Sequence, residues 1–359
     1  MAHSAPLIRR AEPRDAAALA ALFDSAADLP FAPVAQHAGV NAWEKKLGEY
    51  ADTGCLPLIA VRDDSAVGVL LLRGFGGYIR RKHAATIDLL AVRASERRTG
   101  VGRALVTAAL VACDSFLQVR RVDVSVNAVG DALKAFYASF GFAEEAVKRA
   151  AMFDGGYRDA AVLARINQSI MPATGVAPTT AKRTRKQAPV KVTIRPATVD
   201  DAEAFARAFS DRSTSNGTLQ HPYTAPDIWR TRLASNVGTR QVVLAATVNG
   251  RVIGNTGVHP VSDHPRLKHV CGIGIGIAHA YQGRGVGRAL MTAGIDFAER
   301  WANYGRIELT VHADNARAVK LYESLGFVHE GRLREYSFRE GGYVDALLMA
   351  RVTDALVGS

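Results

Sequence analysis

The chain is poor in cysteine, with only Cys55, Cys113 and Cys271 in 359 residues. Three scattered thiols support neither a disulfide framework nor a Cys-based zinc set. No metal is therefore expected, and a reducing cytoplasm is the expected location. No window approaches the ~18 apolar residues of a membrane helix, and MAHSAPLIRRAEPRD has no apolar signal core, so no membrane partner is expected. No Gly-Lys pair occurs anywhere, which removes a Walker A nucleotide loop. RNP-type aromatics, zinc fingers and helix-turn-helix patterns are missing as well, so nucleic acid is not expected as a partner. The net charge of +11 does not reverse this, because Lys182, Arg183, Arg185, Lys186 and Lys191 cluster in one short segment. Charge alone gives only non-specific affinity.

What the chain does have is a repeat. With 48% hydrophobic and 22% charged residues it reads as globular and long enough for two cores. LIRRAEPRDA from Leu7 matches TIRPATVDDA from Thr193, ERRTGVGRAL matches YQGRGVGRAL, and KAFYASFGF matches KLYESLGF. DGGYRDAAVLAR from Asp154 matches EGGYVDALLMAR from Glu340, and the offset stays at 185 or 186 outside residues 28–43. A duplicated domain follows: residues 1–168, a basic Pro/Thr/Ala-rich linker over 169–190, and residues 191–359.

The second copy has the cleaner signals. A short strand at Val192–Arg195 precedes a helix capped by Asp200 or Asp201. VVLAATV and RVIGNTGV flank Asn249-Gly250, which reads as a hairpin. HVCGIGIGIA is a strand, and the helix after the glycine turn places Val286, Leu290, Gly294, Phe297 and Trp301 on one stripe. RIELTV is a further strand. NARAVKLYESLGF is a helix capped by Asn315 and stopped at Gly326, and two late strands close the domain. The expected class is α+β, built twice, each copy a mixed and mostly antiparallel sheet flanked by helices.

AYQGRGVGRAL sits between strand and helix, where backbone N–H groups attract phosphate. A dinucleotide fingerprint fails, because its third glycine position falls on Arg288 or Leu290, and on Leu105 in the first copy. The pattern Q-x-x-G-x-G fits Gln282, Gly285 and Gly287, and Arg97, Gly100 and Gly102 repeat it with arginine first. On these motifs both copies resemble the GCN5-related N-acetyltransferase superfamily. The resemblance implies acetyl-CoA as acetyl donor, with its pyrophosphate on the turn. Gly283, Arg284, Arg288 and Arg103 belong to the same binding region, and side chains at Gly285 and Gly287 would hold the anion off. The resemblance also implies that backbone N–H groups near Ile277 and Val92 stabilise the developing oxyanion. Tyr322, matched by Tyr137, would protonate the leaving thiolate, and Asn315 would bond the pantetheine arm or cap its helix. The first copy departs at Gly130, in place of Asn315, and at Thr99, in place of Arg284.

The implied reaction is direct attack of a neutral amine on the thioester. Glu308, Asp345 or ordered water are the candidates for the base. NGTLQHPYTAPDIWRTRL resembles the acceptor segment of bacterial enzymes that acetylate free amino acids of the phenylalanine and methionine type. Trp229 and Tyr223 are candidates to line that site, with core packing as the other role for Trp229. The first copy keeps Leu29, Pro30 and Trp43 at altered spacing. A small-molecule amine is the expected acceptor. Protein N-termini or lysines, and an acetyl-CoA-binding regulatory role for one inactive copy, stay open as alternatives. The two copies could act as a pseudo-dimer within the chain, or the chain could form a homo-oligomer. Limited trypsin digestion is expected to cut first between Lys182 and Lys191 and to release two folded halves. Cuts elsewhere with that segment intact would show that it is packed.

Overall fold

The computed structural model describes residues 4–24, 39–50, 54–74, 78–172, 188–235 and 240–357. Most of the expected linker, 173–187, lies outside the described residues. The chain divides into two compact units, Met1–Glu145 with Ala160–Ala173, and Ala146–Asp159 with Thr174–Ser359.

In the first unit, β1 (Leu7–Arg10), α1 (Ala16–Asp24) and α2 (Val40–Glu49) precede β2 (Cys55–Arg62), β3 (Ser65–Gly74) and β4 (Ala84–Val92). Then follow α3 (Val101–Ala112), β5 (Arg121–Asn127), α4 (Asp131–Ala138), β6 (Ala143–Phe153) and β7 (Tyr157–Ile166), with the hairpin end Ala146–Asp159 of the last two strands belonging to the second unit. Strands β1 to β4 pair antiparallel in sequence order, β4 pairs parallel with β5, and β5 pairs antiparallel with β7. One face of this sheet packs against α3 and Tyr137, the other against α1 and α2.

The second unit repeats the plan. It contains β8 (Thr193–Pro196), α5 (Ala202–Ser210), α6 (Arg212–Asn216), α7 (Pro226–Ala234), β9 (Val242–Val248), β10 (Arg251–Pro260) and β11 (Val270–Ile277). These lead to α8 (Val286–Asp296), β12 (Arg306–His312), α9 (Ala316–Glu323), β13 (Val328–Arg339), β14 (Gly342–Val352) and α10 (Asp354–Val357). Antiparallel pairing joins β8 to β11 in order, β11 pairs parallel with β12, and β12 pairs with β14, which pairs with β13. Helices α8 and α9 cover one face, and α5 and α7 cover part of the other. Both units are therefore α+β layers around a mixed sheet. No helix among the described residues is long and apolar enough to cross a membrane.

Local chemistry explains the joints. Asn249 and Gly250 both have positive φ, 49° and 76°, as a two-residue hairpin turn requires. Thr198 and Asp201 form a capping box over the 3-10 turn ahead of α5, and Asp201, one of the two expected positions, is the N-cap of α5 itself. Asp201 also takes both terminal nitrogens of Arg195 at 2.8 Å, which ties β8 to that helix. Arg9 and Asp15 repeat this at 2.7 Å in the first unit. The expected α8 stripe ends early. A five-residue π turn, Phe297–Trp301, shifts the period and leaves Trp301 76% exposed, and Ala298 and Tyr304 fill the core instead.

The innermost charges also repeat. Arg306 is fully buried and holds Glu330 at 2.7 Å, and buried Arg121 holds Glu145 at 2.6 Å. Removing one member strands the other charge in the interior, so Arg306→Ala is expected to cost about 3–5 kcal/mol in urea unfolding. Arg332→Ala removes an ion pair to Asp345 from a mostly exposed arginine and is expected to cost under about 1 kcal/mol. Comparable losses from the two variants would contradict this ranking.

Candidate active site

Parallel pairing between β11 and β12 lasts for three residue pairs, from Val270–Arg306 to Gly272–Glu308, and then stops. The rest of β11 keeps its partner on the β10 side alone. A methyl carbon placed on Gly254 would lie 2.6 Å from the Gly276 carbonyl oxygen, so that carbonyl faces β10. Across a trans peptide the N–H points the opposite way, so the Ile277 N–H faces the gap that β12 leaves. The Ile277 carbonyl shares that side and accepts from Gln282 Nε2 at 2.9 Å, while Ala278 N donates back to Ile253 O. The first unit reproduces this. The Ala91 carbonyl faces Gly68 on β3, Val92 O accepts from Arg97 Nε at 3.3 Å, and Arg93 N donates to Val67 O.

The turn that follows is shaped by backbone conformation. Gly283 and Gly285 have φ of 75° and 88°, in the left-handed region. In the first unit Gly100 keeps φ at 93°, and Arg98 takes the position of Gly283 at 62° despite its side chain. The first α-helical bond runs from Ala289 N to Gly285 O, leaving the amides of Val286, Gly287 and Arg288 as free helix-end donors. Ala104 N to Gly100 O marks the same start in the first unit. A rim of backbone N–H groups of this kind fits a pyrophosphate.

The structure gives Gly287 a packing reason as well. A methyl carbon there would meet Leu321 at 3.0 Å and Ile277 at 3.2 Å, so the glycine lets α8 cross close to α9 and β11. Gly102 is roomier, with Phe136 and Val92 each at 3.7 Å. Gln282 acts as a clamp, with its oxygen accepting from Arg317 and its nitrogen donating to Ile277 O. Arg284 turns to Ala188 O at 3.1 Å and lies against Tyr281, and Arg288 reaches Ser324 at the C-terminal end of α9. Arg103 likewise bonds Ser139.

Asn315 caps α9, its Oδ1 accepting from Ala318 N at 3.2 Å, whereas Gly130 leaves α4 without a side-chain cap. Tyr322 is buried beside Phe327, and its hydroxyl has no hydrogen-bond partner among the described residues. Burial pushes its phenol up to about 12, so it keeps its proton throughout the physiological range. Burial also raises the Tyr137 phenol.

The two carboxylates weighed as base are already engaged. Burial would raise the Glu308 carboxyl, but Lys148 at 2.9 Å and Arg306 at 3.0 Å outweigh it and hold the group at about 2. So acidic a carboxyl is a poor proton acceptor. Asp345 accepts from Arg332 Nε at 2.8 Å and from Glu335 N at 2.9 Å. Two histidines that carried no sequence signal lie on the same face of the sheet as Glu308. His312 Nε2 lies 2.9 Å from Ser337 Oγ, and the His259 ring sits over Gly272. Burial lowers the pKa of His259 against the pull of Glu308, although part of the residue stays exposed.

Of the acceptor candidates, Tyr223 is 89% exposed, its ring tilted beside that of His221. Trp229 stacks on Phe209 at 4.9 Å, and Trp43 on Phe23 at 5.2 Å, both as core residues. Leu29 and Pro30 lie outside the described residues.

An α+β layer whose sheet parts beside a row of free helix-end amides is present twice. The acetyltransferase (GNAT) family model matches residues 19–142 and 204–327, and the chain belongs to that family of N-acetyltransferases. The L-amino acid N-acetyltransferase AaaT of Escherichia coli is 39% identical over 162 residues, 45% of this chain and 98% of AaaT. The [ribosomal protein bS18]-alanine N-acetyltransferase of E. coli is 36% identical over 117 residues, 33% of this chain and 75% of that enzyme. A solved GCN5-related N-acetyltransferase from Kribbella flavida is 30% identical, covering 45% of this chain and 97% of that one, with a TM-score of 0.41.

The left-handed turn supplies a direct check. Gly285→Ala is expected to destabilise the second unit by about 1–2 kcal/mol in urea unfolding, because no other side chain crowds the position and only φ is at fault. An unchanged midpoint would show that the turn relaxes freely.

Proposed function

We propose that the chain moves the acetyl group of acetyl-CoA to the primary amine of a small molecule, a free amino acid, by direct transfer. The observation that carries this is the Ile277 N–H turned into the gap between β11 and β12, beside the free amides of α8. Pyrophosphate on Val286, Gly287 and Arg288 would leave the pantetheine arm running along the opened edge of β11. The thioester carbonyl then meets the Ile277 N–H, which stabilises the charge that grows on its oxygen. The amine nitrogen forms the new bond to carbon, the carbon–sulfur bond breaks, and its electron pair leaves on sulfur. Tyr322 donates its phenolic hydrogen to that sulfur. His259 is a better-suited acceptor for the amine proton than Glu308, because a neutral imidazole has the basicity that an ion-paired carboxylate lacks.

A free amino acid is favoured by the relative named as an L-amino acid N-acetyltransferase, which is matched over nearly its whole length. The bS18-alanine enzyme supports a second reading, acetylation of a peptide α-amine, which has the same chemistry and a larger acceptor. Three free, buried cysteines fit a reducing cytoplasm. Since both units carry the turn, calorimetry is expected to find two acetyl-CoA sites per chain.

Tyr322→Phe is expected to lower kcat by about 10²–10⁴-fold with the acetyl-CoA Kd unchanged, the range for one acid–base group. Tyr137→Phe is expected to change turnover little. Equal losses would mean two working sites, and no loss at Tyr322 would remove it from the mechanism.

A further inference from the structure

The two units share a scaffold but differ on the sheet face opposite α8 and α9. In the first unit β3 and β4 put Val69 opposite Ala91 and Leu71 opposite Leu89 on that face. All four are buried and pack against α1 and α2. In the second unit the equivalent pairs are Asn255 with Gly276 and Gly257 with Gly274. Phe209 of α5 covers Gly276, where a methyl carbon would fall 2.1 Å from its ring. No described residue covers the next pair. A methyl carbon on Gly274 meets nothing within 4 Å, and one on Gly257 meets only Val243 at 3.9 Å. Gly274 is exposed, in the middle of a sheet whose matching position in the first unit is sealed by leucine.

Glycine in a strand interior weakens it, by loss of packing and by chain entropy. Two facing glycines on which no described residue presses are therefore a cost with no structural return visible there. Their position supplies a return. Gly274 lies three residues before Ile277, on the order of 10 Å along the strand. That is the span of a thioester carbonyl, an attacking amine and an amino-acid side chain laid end to end. The open patch is bounded by Val243 and Phe209 on one side and His259 on the other, so it offers hydrocarbon and ring surface to whatever lies on it.

We infer that the Gly257–Gly274 pair is the seat for the acceptor's side chain, and that it takes the apolar side chain of a free amino acid. Among the described residues the first unit has no equivalent seat, because Leu71 and Leu89 fill those positions. This rests on the transferase reading above. It adds that only the second unit receives an acceptor, while the first keeps the donor turn.

The test uses the full chain with Gly274→Val and Gly257→Val, made separately. β-branched residues suit a strand, so both variants should fold, and Gly274→Ala is the milder step with the same sign. Release of the coenzyme A thiol is followed with alanine, valine, methionine and phenylalanine as acceptors, alongside acetyl-CoA calorimetry. The expected result is unchanged acetyl-CoA binding, with kcat/KM falling about 10–200-fold more for methionine and phenylalanine than for alanine. The same loss across all four acceptors would overturn the seat. Full phenylalanine turnover in Gly274→Val would overturn it too, by placing the acceptor elsewhere or in the first unit. Wild-type protein that acetylates peptide amines but no free amino acid removes the seat and leaves the transferase reading standing. Wild-type protein that acetylates no amine removes both.

Discussion

The end of pairing between β11 and β12 after Gly272–Glu308 is the constraint on which the candidate site depends. A strand inside a sheet spends its N–H and C=O groups on neighbours, and a strand that loses one neighbour must satisfy those groups otherwise. At Ile277 the carbonyl is satisfied by Gln282 while the N–H stays turned to the gap. An oriented donor is thus created by topology, with no catalytic side chain needed to supply it. Gln282 and Arg97, which differ in chemistry, bond the same carbonyl in the two units. The common element is the clamp between strand end and turn.

The closed end of the gap is held by charge. Arg306 begins β12 and engages Glu330 and Glu308 where parallel pairing with β11 is intact. This employment also disqualifies Glu308 as a base, because a carboxylate that holds two cations has no affinity to spare for a proton. Beyond this cluster the strand face turns to Thr310 and His312, and the sheet opens.

Duplication separates what the two units keep from what they do not. The turn geometry, the clamp and the orphan strand-end N–H persist in both units, even with Arg98 held at positive φ. The opposite face does not persist. It is a sealed apolar core over β3 and β4, and a glycine floor over β10 and β11. A core face relaxes toward leucine and valine when nothing but stability acts on it. A bare floor of glycine runs against that trend.

The sequence by itself determined what is written in local backbone demands and in period: the duplication, the Asn249-Gly250 turn, the positive-φ glycines, the Asn315 cap and the strand–turn–helix that carries them. Each depends on a few neighbouring residues, so each is legible without the fold. Tertiary structure alone decided the rest. Tyr223 stands in solvent and Trp229 in the core, although they are six residues apart in one motif. Trp301 left its stripe because a π turn changed the period. Gly287 serves a helix crossing, and Arg288 reaches Ser324, because α9 and the end of β11 arrive there from elsewhere in the chain. Whether Gly274 faces a ring, a leucine or open space depends on strand register and on helices distant in sequence. Such contacts are long-range, and no periodicity along the chain encodes them.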